Sequence, residues 1–163
     1  MTPMYDLAVV VCLALIANGA PVLGSRLFPG WLPWPVDFGL CLRDGRRVLG
    51  DSKSWRGLVA AVLVTALAAE LIGLDWWLGA AAGAAAMLGD LCSSFIKRRM
   101  GLASGDMALG LDQVPEALFP ALVLMGPLQL SMAEAVGAVL LFFVLGIPLS
   151  LLLYRLGLRK RPY

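Results

Sequence analysis

Asp90 carries the strongest chemical signal in this chain. It lies within an apolar run from Trp76 to Ile96 and shares one helical face with Gly79, Gly83, Ala86, Ser94 and Lys97, which recur at three- and four-residue steps. An ionised aspartate in a bilayer interior costs about 2.5–3.5 kcal/mol on insertion scales, so this carboxylate is expected to face protein and to need a cationic partner. Gly79 and Gly83 let a second helix approach closely, which turns the Asp90 face inward. The structural alternative is a carboxylate bonded to a neighbouring helix, or one that snorkels toward Lys97 about two turns away.

Two further segments have matching chemistry. Gly50-Asp51-Ser52-Lys53-Ser54-Trp55-Arg56-Gly57 precedes the second apolar run. Glycines admit close backbone approach, Lys53 and Arg56 bring charge, serines donate hydrogen bonds, and the next helix is expected to offer free amides to an anion. The spacing is not that of a P-loop, and a basic loop lying on anionic headgroups is the competing reading. Asp112-Gln113-Val114-Pro115-Glu116 opens the fourth run, where Asp112 is either a helix cap or a metal ligand. Asp90 and Asp112 beside Lys97 and Arg98 form a mixture suited to Mg²⁺ and a polyphosphate, because hard cations prefer carboxylate and phosphate oxygens. Asn18, followed by Pro21, is a polar group in the first apolar run, with an interhelical hydrogen bond as its simpler role. Asp37, Asp44, Arg46 and Arg47 are ligand contacts or solvated surface.

The elements that must position these groups are membrane helices. The chain is 60% hydrophobic and 15% charged, with mean hydropathy +0.85, well beyond the roughly 45–50% apolar content of soluble domains. Apolar runs predict an all-α, single transmembrane domain over 1–163, with helices at about 5–25, 57–74, 76–96, 114–130 and 134–155 and long loops at 27–56 and 97–113. The fourth is punctuated by Pro115, Pro120 and Gly126-Pro127. With five crossings every Lys and Arg, from Arg26 to the terminal Arg159-Lys160-Arg161, shares one side, so the positive-inside rule puts the N-terminus out and the C-terminus in the cytosol. Asp6 precedes the first run with no base, unlike a cleavable signal peptide, so the first helix is expected to remain attached. Trp76 and Trp77 suit an interfacial belt. Ser131 and Glu134 have capping-box spacing. Cys12, Cys41 and Cys92 show no metal or disulfide spacing.

Taken together, Asn18 to Pro21, Asp44-Gly45-Arg46-Arg47, Gly50 to Gly57, Gly89-Asp90-Leu91 through Ser94-Phe95-Ile96-Lys97-Arg98-Arg99-Met100-Gly101, and Asp112-Gln113 resemble the CDP-archaeol synthase family. The Ser-x-x-Lys-Arg core is similar to that of phosphatidate cytidylyltransferases. The resemblance implies a Mg²⁺-dependent cytidylyltransferase of the cell membrane with its active site facing the cytosol. Such an enzyme condenses CTP with a lipid phosphate to give a CDP-activated lipid and pyrophosphate. On that reading Asp90 and Asp112 hold Mg²⁺ with Ser94 as hydrogen-bonding partner, and Lys97 and Arg98 face phosphate oxygens. Lys53 and Arg56 meet CTP or lipid phosphates, while Asn18, Asp44, Arg46 and Arg47 shape the nucleotide pocket. This chain departs from the archaeal pattern, with Asp112-Gln113-Val114-Pro115-Glu116 for Asp-Gln-x-Asp-Phe and Gly50-Asp51-Ser52-Lys53-Ser54 for Gly-x-Gly-Lys-Thr. Both ether- and ester-linked lipid phosphates therefore stay open as substrates. Partners are CTP, the lipid phosphate and the bilayer, with no nucleic acid; the small-residue face leaves a homodimer open. The competing classes are a small transporter using Asp90 as a relay and a non-catalytic lipid-binding subunit.

Overall fold

The computed structural model describes residues 3–157, so the terminal Arg159, Lys160 and Arg161 lie outside the described residues. Five helices account for the architecture: α1 (Pro3–Leu27), α2 (Trp55–Leu71), α3 (Trp76–Arg99), α4 (Gln113–Met125) and α5 (Met132–Arg155). Among the described residues α1, α3 and α5 are long and apolar enough to cross a membrane. α2 has 17 residues and α4 only 13. At 1.5 Å per residue α4 spans about 20 Å, less than the roughly 30 Å of a hydrocarbon core. It stops five residues short of the sequence expectation because Gly126 caps it and Pro127 brings no amide for a further helical bond. Tight turns carry the chain on to Leu130, with Gln129 in a left-handed conformation (φ 53°).

The helix ends show how local sequence sets these limits. Ser54 accepts a hydrogen bond from the Gly57 amide at the start of α2. Ser131 and Glu134 form the expected reciprocal capping box at the start of α5. At the far end of α3, Lys97, Arg98 and Arg99 complement the negative end of the helix dipole.

α3 is the central element, packed against α1, α2 and α4, whereas α5 packs on α1 and α4 alone. Glycines set the spacing on both flanks. A Cβ at Gly79 would lie 2.4 Å from the Thr65 carbonyl oxygen, and one at Gly83 3.0 Å from that of Ala61, so α2 comes backbone to backbone with α3. On the opposite flank a Cβ at Gly89 would sit 2.3 Å from the Pro115 carbonyl oxygen. Gly89 thus brings the start of α4 against the turn of α3 that holds Asp90. The core beyond this point is apolar: Val10 and Leu13 of α1, Ala82 of α3, Ala121 and Leu124 of α4, with Phe142 of α5 against Ala14 and Ala117. All described Lys and Arg side chains belong to the end of the bundle that carries the two long loops, while Trp76 and Trp77 are exposed at the other end.

Gly89→Ala forces overpacking at the α3–α4 contact and is expected to destabilise by about 1–3 kcal/mol. Gly126→Ala, with nothing within 4 Å of the new methyl, should change stability by less than about 0.5 kcal/mol. Thermal unfolding of the two variants in detergent checks the contrast.

Candidate active site

The first long loop is built around Asp37, whose side chain is only 1% exposed. Its carboxylate takes two hydrogen bonds from the Arg47 guanidinium (2.6 and 3.2 Å) and others from the amides of Gly39, Leu49 and Gly50. Burial opposes the charge, but the Arg47 guanidinium and these amides win and hold the carboxyl well below the usual carboxylate range. Arg46 donates to the Arg99 carbonyl at 2.6 Å, and Arg99 donates to Asp44 at 2.7 Å and to the Arg47 carbonyl. The loop is therefore clamped onto the end of α3. Ser52 and Ser104 hydrogen-bond each other, joining the two loops. Gly50, at φ 98°, lies where a Cβ would meet Ser104 Oγ at 2.7 Å and Arg98 Nη1 at 3.2 Å, so a side chain fits neither the backbone nor the space.

This clamp delivers Lys53 to α3. Its Nζ lies 2.6 Å from both Asp90 carboxylate oxygens, which supplies the cation that Asp90 requires. Burial alone would lower the Lys53 pKa, yet the Asp90 carboxylate, with a smaller contribution from Asp112, outweighs it and raises the pKa above the lysine norm. One α-helical turn past Asp112, Glu116 hydrogen-bonds the Asp90 carboxyl. A second ion pair lies beside the first: Lys97 Nζ is 2.6 Å from Asp112 Oδ1 and also donates to the Asp106 carbonyl. Asp112 Oδ2 accepts from the Ala108 amide, so Asp112 does not cap α4 with its side chain. Arg98 is 5% exposed and donates to the Ala103 carbonyl, while its Nε, like that of Arg56, is buried without a hydrogen-bond partner among the described residues.

These groups line one cavity of about 770 Å³. Its polar wall includes Asn18, Lys53, Arg56, Asp90, Ser94, Lys97, Arg98, Asp112 and Glu116. The same cavity is lined by apolar side chains, Leu15 and Val22 of α1 and Phe142, Ile147, Leu149 and Leu153 of α5. The cavity thus joins a charged pocket to a hydrophobic slot. Donors with spare hydrogen-bonding capacity suit phosphate oxygens. Among the described residues no three His, Cys, Asp or Glu side chains converge tightly enough to enclose a metal ion. That donor set still fits Mg²⁺, which is typically bound by one or two carboxylates and completed by water and substrate phosphates.

Not every residue expected at the site lines this cavity. Asn18, Lys53, Arg56, Ser94, Lys97, Arg98, Asp90 and Asp112 do, whereas Asp44, Arg46 and Arg47 brace the first loop beside it. The free amides expected at the start of α2 are not free. Those of Trp55, Arg56 and Gly57 bond the Trp34 and Leu32 carbonyls and the Ser54 hydroxyl, because the loop folds back over the helix end. Anion attraction here comes from side chains. Glu116 was not anticipated, although its i, i+4 spacing from Asp112 puts both acids on one helical face.

The family model for CDP-archaeol synthase (CarS-like) matches residues 4–82 and 76–163. The CDP-archaeol synthase of Sulfurisphaera tokodaii is 38% identical over 157 residues, covering 92% of this chain and 90% of its own length. That of Sulfolobus acidocaldarius is 36% identical, with 92% of each covered. A solved structure described as an intramembrane enzyme for archaeal membrane lipids biosynthesis superposes with TM-score 0.70 at 32% identity, over 86% of this chain and 89% of its own.

Asp37 supplies a test of the loop clamp. Its folded pKa is depressed, so its stabilisation is fully present above the unfolded value of about 4 and is lost as pH falls through the folded value. Asp37→Asn is expected to cost about 1–3 kcal/mol near neutral pH. Melting curves of both chains should converge as the pH is lowered below about 4.

Proposed function

Given that the chain belongs to the CDP-archaeol synthase family, we propose that it is a Mg²⁺-dependent CTP:lipid-phosphate cytidylyltransferase working at the cytosolic face of the cell membrane. The family supports cytidylyl transfer to a lipid in membrane lipid biosynthesis, carried out by a membrane-embedded enzyme. The observation that carries the finer reading is the mixed lining of one cavity, which brings charged groups suited to a triphosphate together with apolar side chains suited to lipid tails. Five crossings with the N-terminus outside put the basic loop end in the cytosol, in keeping with the positive-inside rule.

In this reading an oxygen of the lipid phosphate attacks the α-phosphorus of CTP in line. The bond from that phosphorus to the β-phosphate oxygen breaks, and pyrophosphate leaves. The nucleophile is already anionic, so no dedicated general base is needed, and the chain has no histidine. The protein's contribution is positioning and charge. Lys97 and Arg98, rooted in the last turn of α3, face the phosphates of CTP. Lys53 and Arg56 bring the lipid phosphate alongside, with Asn18 lining the same pocket. Asp90 and Asp112, with Glu116 beside them, would hold Mg²⁺, which supplies a Lewis acid for the charge developing on the phosphoryl oxygens. The ammonium groups of Lys53 and Lys97, paired with Asp90 and Asp112, stand beside the position given to the phosphates. The lipid carries ether- or ester-linked tails, and the Gly79–Gly83 face expected to serve between copies is taken up by α2 within the chain. Against a transport role, the core around Val10, Leu13, Ala82 and Leu124 is predominantly aliphatic, with Thr65 of α2 as a buried polar exception among the described residues.

Labelled CTP, Mg²⁺ and a panel of ether- and ester-linked lipid phosphates should yield a labelled CDP-lipid and pyrophosphate in equal amounts. Hydrolysis of CTP without a lipid product would overturn the reading. Asp90→Asn is expected to reduce turnover by about 10²–10³-fold, with the variant still eluting as a folded species. Near-normal turnover at limiting Mg²⁺ would remove Asp90 from the metal site. Gly146 faces the apolar slot with only the Phe142 ring edge nearby, 4.0 Å from a Cβ built there. Gly146→Phe should raise KM for long-tailed lipid phosphates about tenfold or more and leave KM for CTP unchanged.

A further inference from the structure

The first long loop exposes more apolar surface than a water-facing loop should. Trp31, Trp34, Phe38, Leu40 and Leu42 are all exposed, Phe38 at 72%. None of this comes from a floppy segment. The loop is held by the ion pair between buried Asp37 and half-buried Arg47 and by bridges pairing Pro35 with Ser54 and Cys41 with Arg47. Two of its bulky apolar residues, Leu32 and Phe38, have left-handed backbones with φ of 41° and 46°, which is uncommon and strained for such side chains. At Phe38 that strain is spent on an exposed ring.

Exposed apolar side chains of this kind suit a bilayer surface, and the loop is within reach of one. It starts at the end of α1 and ends at the start of α2, and the Phe38 ring lies 6.4 Å from that of Trp55 in the first turn of α2. The same pattern of exposed tryptophans marks the opposite end of the bundle at Trp76 and Trp77, and tryptophan is enriched at both membrane-water boundaries. Arg43, next to Leu42, makes no hydrogen bond or ion pair with a described residue and suits an anionic headgroup.

We propose that loop 28–54 docks into the leaflet beside the cavity, with Trp31, Trp34, Phe38, Leu40 and Leu42 seated at the boundary between headgroups and acyl chains. The occupant of this patch is the bilayer itself. The loop would then be a fixed shelf at headgroup height. Its polar side sends Lys53 to Asp90 while its apolar side rests in lipid. The inference requires only a membrane-embedded bundle and stands apart from the reaction assigned to the cavity.

The five tryptophans of the chain are Trp31, Trp34, Trp55, Trp76 and Trp77, which makes fluorescence a direct test. Chains retaining only Trp31, only Trp34 or only Trp76 are reconstituted in phosphatidylcholine–phosphatidylglycerol vesicles. Quenching by phosphatidylcholine brominated along its acyl chains is compared with quenching by aqueous iodide. Trp31 and Trp34 should show blue-shifted emission and bromolipid quenching within about twofold of Trp76. Iodide quenching with no bromolipid effect would place the loop in water. Protection from both quenchers would mean that a second copy or another protein segment covers it; either result overturns the proposal. If the single-tryptophan chains fail to insert, the difference between the wild-type chain and the Trp31→Phe/Trp34→Phe chain reports the same two residues. A bromolipid-quenched component must disappear in that variant, and its persistence would count against docking.

Discussion

An ammonium group and a carboxylate 2.6 Å apart, at the place where a loop meets a membrane helix, organise this molecule. Asp90 is part of an otherwise largely apolar helix, and removing one partner from a buried charge pair leaves a cost of about 3–5 kcal/mol. Lys53 must therefore be brought to it, and it comes from a loop rather than from a neighbouring helix. Much of that loop can be understood as the means of doing so. Asp37 gathers the loop's own amides, Arg46 and Asp44 bind it to the end of α3, and Ser52 reaches Ser104 in the second loop. A pair of this kind is a poor source of net stability once desolvation is counted. Its value lies in fixing one arrangement of charges at the mouth of the two long loops.

Helix packing serves the same end. Gly89 admits the first turn of α4, and with it Glu116, to the turn of α3 that holds Asp90. Gly79 and Gly83 bring α2 equally close on the other flank, so Ser54 and Lys53, just ahead of α2, inherit a fixed position relative to α3. Backbone contact on two sides leaves α3 little room to shift, which is the kind of support that electrostatic preorganisation requires.

The sequence made the all-α membrane character legible through its apolar runs, and Asp90 legible through its cost. The need for a cation followed from that cost, but its identity did not. Lys97 is nearer in sequence and on the same helical face, yet it pairs with Asp112, while Lys53 arrives from 37 residues away. Such long-range pairing leaves no periodic trace. Arg46 and Arg47 were indistinguishable from ligand contacts because the same guanidinium chemistry serves carbonyl and carboxylate acceptors inside a protein. The amides of α2 looked available since a sequence does not disclose a loop folding back on a helix end. The shortness of α4 was signalled by Gly126-Pro127, whereas the apolar residues beyond them favoured a longer span.

The sparse packing of α5 has an evolutionary consequence. This helix meets only α1 and α4, yet it furnishes much of the aliphatic wall of the cavity, while none of the reactive charges belongs to it. Substitutions along its inner half can retune accommodation of hydrocarbon without disturbing the ionic machinery. Under the proposed function, binding of the apolar moiety and nucleotide chemistry would thereby be separable traits, and a lineage that changes its membrane lipids could adapt one helix while retaining the charged cluster.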